Sequence, residues 1–274
     1  MTLFLALPLS VLLSCQVGTT SGNLRIGLYV GGGVGKGDPD AYWRVLPEAA
    51  AAFGNFSIEN LTEVDVRQRL STKFFDVVFF PGGSGNGQAR ALGKDGMEVV
   101  RAFVAAGGGY VGTCGGAYLG LHHIYFYGRG PHGSGIPTKN PWARGKGNVV
   151  IEFTKKGLSD LALDKDTFAG NVTIHYAQGP VIAPAWIPKH VTILSWFRTE
   201  IHSKYTKETK GQMVNTPAMT TARFGAGRVV LNSPHPEFVP RLPGIFRGQL
   251  VWLLRGQLWN VLEPGPVVPK IMYI

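Results

Sequence analysis

Cysteine is almost missing from this sequence: Cys15 and Cys114 are the only two in 274 residues. That excludes the disulfide framework on which small extracellular folds depend. If the N-terminal segment is cleaved, Cys114 has no partner left in the chain. It is then an inert buried thiol, an intermolecular partner or a reactive group. Acidic residues are scarce as well, 17 against 27 Lys and Arg, for a formal net charge of +10. Such an excess suits acidic partners in general. The basic residues are scattered, however. The densest stretches, 129–146 and 204–210, lack the aromatic interleaving or zinc-finger spacing of a nucleic-acid binder, and no nucleic-acid partner is expected. A long apolar run is also lacking. The longest, TLFLALPLSVLLSC, holds about a dozen apolar residues broken by Pro8, short of the roughly 20 that span a bilayer.

That run has the form of a secretory signal core, and small and polar residues follow it. Residues 1–22 read as a signal peptide or short N-terminal anchor, and 23–274 as a single domain without a stable membrane span. Leu-Leu-Ser-Cys15 also has the look of a bacterial lipoprotein cleavage site, which in a bacterium would make the protein periplasmic or lipid-anchored. Three sequons favour the secretory lumen of a eukaryote: Asn55-Phe-Ser57, Asn60-Leu-Thr62 and Asn171-Val-Thr173. Chance would supply about one from the ten asparagines present. The expected product is a secreted glycoprotein.

What is abundant is apolar residues, at 45%, and glycine, at 38 residues. This is a globular composition with tight turns and close backbone approaches. Residues 24–30 read as a strand ending in the glycine turn GGGVGKG. A helix follows to Gly54, with Asp38 as its N-cap. Strands are expected at 56–61 and 74–80, the second closed by Pro81-Gly82-Gly83. Helices are expected at 63–70, 88–92 and 97–106, then a strand at 109–114 and a helix at 115–123. Strands alternating with helices predict an α/β fold with a parallel sheet covered on both faces. Sites in such sheets gather at the carboxyl ends of the strands. The second half is less regular. Residues 127–147 form a Gly- and Pro-rich loop, with strands at 149–154 and 191–197. A hairpin pairs 220–223 with 227–231, and a final helix at 242–262 breaks near Gly248 or Gly256.

Several tempting motifs fail on spacing. In GGGVGKGD, Val30 falls where a phosphate loop needs its first glycine, and Gly37 where it needs Ser or Thr. His122, His123 and His132 have no zinc spacing, so neither metal nor cofactor is expected. Gly112-Thr-Cys114-Gly-Gly116 does fit a chemistry. It has the form G-x-nucleophile-x-G between strand and helix, where the turn is so sharp that neighbours must lack side chains. A helix N-terminus favours thiolate over thiol, and free cysteine, with pKa about 8.5, is only a few per cent thiolate at pH 7. The best base is His235 in Asn232-Ser-Pro-His235-Pro-Glu237, at another strand end. Glu237 would orient it, giving a Cys114–His235–Glu237 relay. The N–H groups of Gly82, Gly83 and Gly115 would form an oxyanion hole. Arg129, His132, Lys139 and Arg144 would bind an acidic group if their loop folds over Cys114.

These residues resemble the class I glutamine amidotransferase-like superfamily, and within it the biotin–protein ligase N-terminal domain family. The matching stretches are FFPGGSG (79–85), VRAFVAAGGGYVGTCGGAYLG (100–120), YAQGPV (176–181) and NSPHPE (232–237). The resemblance implies a flavodoxin-like three-layer sandwich, with a mostly parallel central sheet and an antiparallel extension. It implies Cys114 as nucleophile, His235 as base and Glu237 as orienter. Glutamine-hydrolysing members carry Gln four residues after the cysteine, in a substrate-binding position. Here Tyr118 stands there, which argues against ordinary glutaminase activity. Two functions follow as expectations. One is a cysteine-dependent amide or acyl hydrolase acting on a small molecule or peptide. The other is a non-catalytic binding domain that retains the cleft.

Overall fold

The computed structural model describes residues 23–129, 135–139, 145–201, 212–239 and 243–255. The expected signal, with Cys15, lies outside them, as do His132, Arg144, the basic stretch 204–210 and the end of the last helix. The first half follows the alternation read from the sequence. Its elements are β1 (Leu24–Tyr29), α1 (Asp38–Ala51), β2 (Phe56–Leu61), α2 (Glu63–Arg69), β3 (Val77–Phe80), α3 (Gly85–Ala105), β4 (Gly109–Thr113) and α4 (Gly115–His122). The second half holds β5 (Lys146–Phe153), α5 (Lys155–Asp160), α6 (Lys165–Phe168), β6 (Asn171–Ala177), β7 (Thr192–Phe197), β8 (Pro217–Phe224), β9 (Gly227–Asn232) and α7 (Pro243–Leu254).

Among the described residues, one nine-stranded sheet takes all the strands, in the order β2-β1-β3-β4-β9-β8-β7-β5-β6. The pairings from β2 to β9 are parallel, and those from β9 to β6 antiparallel. The antiparallel extension is therefore much wider than the β8–β9 hairpin that the sequence marks. The strands alternate their side chains between two cores. Along β3, Val77 and Phe79 join a cluster with Tyr42 and Leu46 of α1 and Phe246 and Leu250 of α7. Val78 and Phe80 join another with Val66 of α2, Val100 of α3 and Leu119 of α4. Burial on both faces is why β3 reads as an unbroken apolar run. This is a flavodoxin-like α/β sandwich.

Four expectations need correction. Strand β3 begins at Val77, because Phe74 and Phe75 belong to a turn in which their amides donate to the Ser71 carbonyl at 3.0 and 2.9 Å. The helices expected at 88–92 and 97–106 are halves of α3, kinked at Gly93, whose φ of 64° only glycine adopts readily. Gly248 does not break α7. Its missing side chain lets α7 approach Leu161, whose carbonyl oxygen would lie 2.3 Å from a Cβ there. Asp38 does not cap α1; Gly37 does, and Asp38 is the first helical residue with its side chain turned inward.

Candidate active site

Strands β4 and β9 are neighbours in the parallel part of the sheet, and their carboxyl ends carry Cys114 and His235. The last register pair is Thr113 with Asn232. One step on, the Cys114 amide donates to the Asn232 carbonyl at 2.8 Å. Cys114 then takes φ 50° and ψ −101°, a conformation rarely adopted by a residue with a Cβ. The flanking glycines are required by space. A Cβ on Gly116 would sit 2.0 Å from the Phe80 oxygen, and one on Gly115 would sit 2.7 Å from the Gly83 carbonyl. The elbow is thus wedged against the loop that follows β3. The Cys114 thiol is 5% exposed and donates to the Ala177 carbonyl at 3.2 Å.

The glycine-rich turn after β1 braces that same loop. Gly35 N–H donates to Gly82 O at 3.0 Å, and Ser84 N–H to Gly33 O at 2.8 Å. The segment that failed as a phosphate loop is therefore a buttress. It holds Pro81-Gly82-Gly83 beside Gly115, and Gly83 adopts φ 114°. Among the described residues, the amides of Gly83 and Gly115 have no acceptor.

His235 is 2% exposed, and its amide donates to the His175 carbonyl at 2.8 Å. A 3-10 turn at Pro236–Phe238 folds Glu237 back beneath the ring. Nδ1 meets Glu237 Oε1 at 2.7 Å, and Phe238 stacks on the imidazole at 5.1 Å. Among the described residues, Nε2 of His235 and Oε2 of Glu237 are buried without a hydrogen-bond partner. Burial acts most strongly on this histidine and would lower its pKa. The Glu237 charge, then the Cys114 thiol, outweigh it and hold the imidazole well above its ordinary value. The imidazole is thus oriented by Glu237, and its proton is held more tightly than on a free histidine.

A buried polar network supports the elbow from behind. Tyr42 Oη donates to Thr113 Oγ1 at 2.7 Å, and Gln249 Nε2 of α7 donates to Asn232 Oδ1 at 2.9 Å. Sequence reasoning missed this network, although Gln249 is a lone amide in an apolar helix. It also missed β6, which supplies Ala177 and His175; the alternation of Val172, Ile174 and Tyr176 carried that signal. The third omission is Asp38, buried beside Gly82.

The remaining expected residues are placed as follows. Tyr118 lies one turn along α4 from Cys114, against Gly85 and edge-on to His122. The Arg129 guanidinium stacks over Tyr125, and Lys139 Nζ donates to Gln212 O. Asn55, Asn60 and Asn171 are exposed. Among the described residues, no group of three His, Cys, Asp or Glu could hold a metal, and no helix is long and apolar enough to cross a membrane. A cavity of about 390 Å³ at the opposite ends of the strands is lined by Lys156, Arg223, Arg228 and Arg255 together with Asp160, which pairs with both Lys156 and Arg255.

Comparison with known proteins agrees with the motifs. The family described as biotin-protein ligase, N terminal, matches residues 51–133, which include the Pro81-Gly82-Gly83 loop and Cys114 but stop short of His235. No curated protein matches the sequence. Among solved structures, a cytoplasmic protein from Salmonella typhimurium is 11% identical, with a TM-score of 0.50 over 84% of this chain and 99% of its own. A protein described as ThuA-like, from Parabacteroides merdae, is also 11% identical, with a TM-score of 0.50 over 86% of this chain and 91% of its own. At such identity these two likenesses speak to the fold alone.

Proposed function

We propose that this chain, with the biotin–protein ligase N-terminal pattern over residues 51–133, is a cysteine-dependent amide or acyl hydrolase. The observation that carries the reading is the convergence of a strained Cys114 elbow with the buried His235–Glu237 pair. In the proposed cycle His235 holds the thiol proton while Sγ attacks a substrate carbonyl. The oxygen of the tetrahedral intermediate takes N–H donors from Gly83 and Gly115. His235 then gives its proton to the leaving amine or alcohol, leaving a thioester on Cys114. Water, deprotonated by His235, hydrolyses the thioester and restores the thiol. Glu237 keeps Nδ1 bonded throughout, so the other ring nitrogen is the one that works. Free glutamine is not the proposed substrate, because Tyr118 replaces the glutamine-binding residue of hydrolysing relatives.

One observation favours a second reading, a crevice that binds without turnover: the thiol already spends its proton on Ala177 O. Labelling with iodoacetamide at about pH 6 separates the two. A nucleophile held by His235 is carboxamidomethylated on Cys114 faster than a free thiol, and His235→Ala removes the advantage. Labelling no faster than a free thiol supports the binding-only crevice and sinks the hydrolase. We also propose that the chain acts in the secretory lumen, supported by the apolar leader and by the exposure of all three sequon asparagines.

A further inference from the structure

Asp38 is a charged side chain that the proposed cycle does not use. It is 8% exposed, yet among the described residues its carboxylate accepts no hydrogen bond. The helix dipole of α1 does not explain that burial. Asp40, exposed in the same first turn, offers its charge to the dipole without it. The fold makes room for the Asp38 carboxylate on two sides. A Cβ on Gly35 would lie 2.6 Å from Oδ2, and one on Gly82 would lie 2.5 Å from it. The same Cβ on Gly82 would lie 2.7 Å from Cε1 of His235. Carboxylate and imidazole therefore flank one glycine, in the loop that also faces Gly115.

The charges of this crevice do not balance. His235 and Glu237, paired at 2.7 Å, offset each other as an ion pair. Asp38 is left as a carboxyl group that no side chain among the described residues bonds. Burial pushes its carboxyl up from the usual range, and the opposing pulls of His235 and Glu237 follow behind. A largely buried carboxylate without a bonded partner among the described residues is complementary to a cation with N–H donors.

We propose that Asp38 is the specificity-determining group of this crevice and receives the protonated amine or amidine of a cationic substrate whose carbonyl faces Cys114. The proposal rests on the reading of Cys114 as an accessible nucleophile. A cation held at Asp38 sits beside Gly82 and His235. Its carbonyl then falls between the sulfur and the Gly83 and Gly115 amides, with the cation as the fixed end of the molecule.

Two small thiol reagents of opposite charge test this without a known substrate. They are 2-aminoethyl methanethiosulfonate, a cation, and 2-sulfonatoethyl methanethiosulfonate, an anion. Their rates on Cys114 of the full chain, read by peptide mass, are each divided by the rate on a free thiol in solution. The expected cation-to-anion ratio is about tenfold, the effect of roughly one uncompensated charge at close range. Asp38→Asn brings the ratio close to one. Asp38→Glu retains the preference, and Asp40→Asn leaves it unchanged. A merely structural role for Asp38 would lower the melting temperature of Asp38→Asn and leave its ratio at the wild-type value. Should Asp38→Asn fail to fold, the wild-type ratio still decides. A ratio near one overturns the assignment of Asp38 and leaves the nucleophile standing. No labelling by either reagent overturns both.

Discussion

His235 shows how one residue's surroundings set its state. Burial favours the neutral ring, and the adjacent Glu237 carboxylate with the Cys114 thiol reverses that preference. A histidine with a raised folded pKa binds its proton more tightly when folded. Its contribution to stability is complete below about pH 6.5, the unfolded value, and is lost as pH rises through the folded value. Glu237→Gln keeps the burial and removes the charge that holds the proton. Its urea midpoint is expected to fall well below wild type at about pH 6, a loss of roughly 3 kcal/mol, with the gap narrowing at about pH 9. An equal gap at both pH values would mean that His235 is neutral in the folded protein.

Among elements, α7 and α3 show two reasons for a glycine within a helix. At Gly93 the reason is conformation: φ is 64° and a Cβ would meet open space. At Gly248 the reason is contact with the Leu161 carbonyl. Sequence alone does not separate these cases, and Gly248 reads there as a break. An alanine in an ordinary helix interior stabilises by about 1 kcal/mol over glycine. At Gly248 a Cβ 2.3 Å from a backbone oxygen forces α7 and α5 apart, which costs about 1–3 kcal/mol. The steric effect wins, so Gly248→Ala is expected to lower the urea midpoint. A stabilised variant would show that α7 shifts freely. Because Gln249 is the next residue and bonds Asn232, that shift would also disturb the elbow.

For the whole molecule, the three sequon asparagines are exposed and lie along the two edges of the sheet. Strand β2, which carries Asn60 and follows Asn55, and strand β6, which begins at Asn171, are the two edges of the sheet. A glycan there would also block edge-to-edge pairing of strands. Expressed in a eukaryotic secretory host, the full chain is expected to lose mass on enzymatic removal of N-glycans and to begin beyond residue 22. An unchanged mass together with an intact N-terminus would remove the secretory reading.

The sequence by itself determined the local features. The apolar run of β3 marks a strand buried on both sides, and the glycines around Cys114 mark a turn too tight for side chains. His235-Pro-Glu237 places an imidazole and a carboxylate two residues apart, and such short-range geometry is readable from order alone. The extent of the antiparallel half was less legible, since β6 lies between segments whose pairing is set by partners distant in the chain. Asp38 was hidden for the same reason. At a helix start, an aspartate that caps and one that points into a crevice look alike in sequence. Only the tertiary structure, by bringing the ends of β1, β3, β4 and β9 together, decided that Asp38 stands beside His235. Spatial neighbours about 200 residues apart are chosen by packing across the sheet, and no local pattern encodes them.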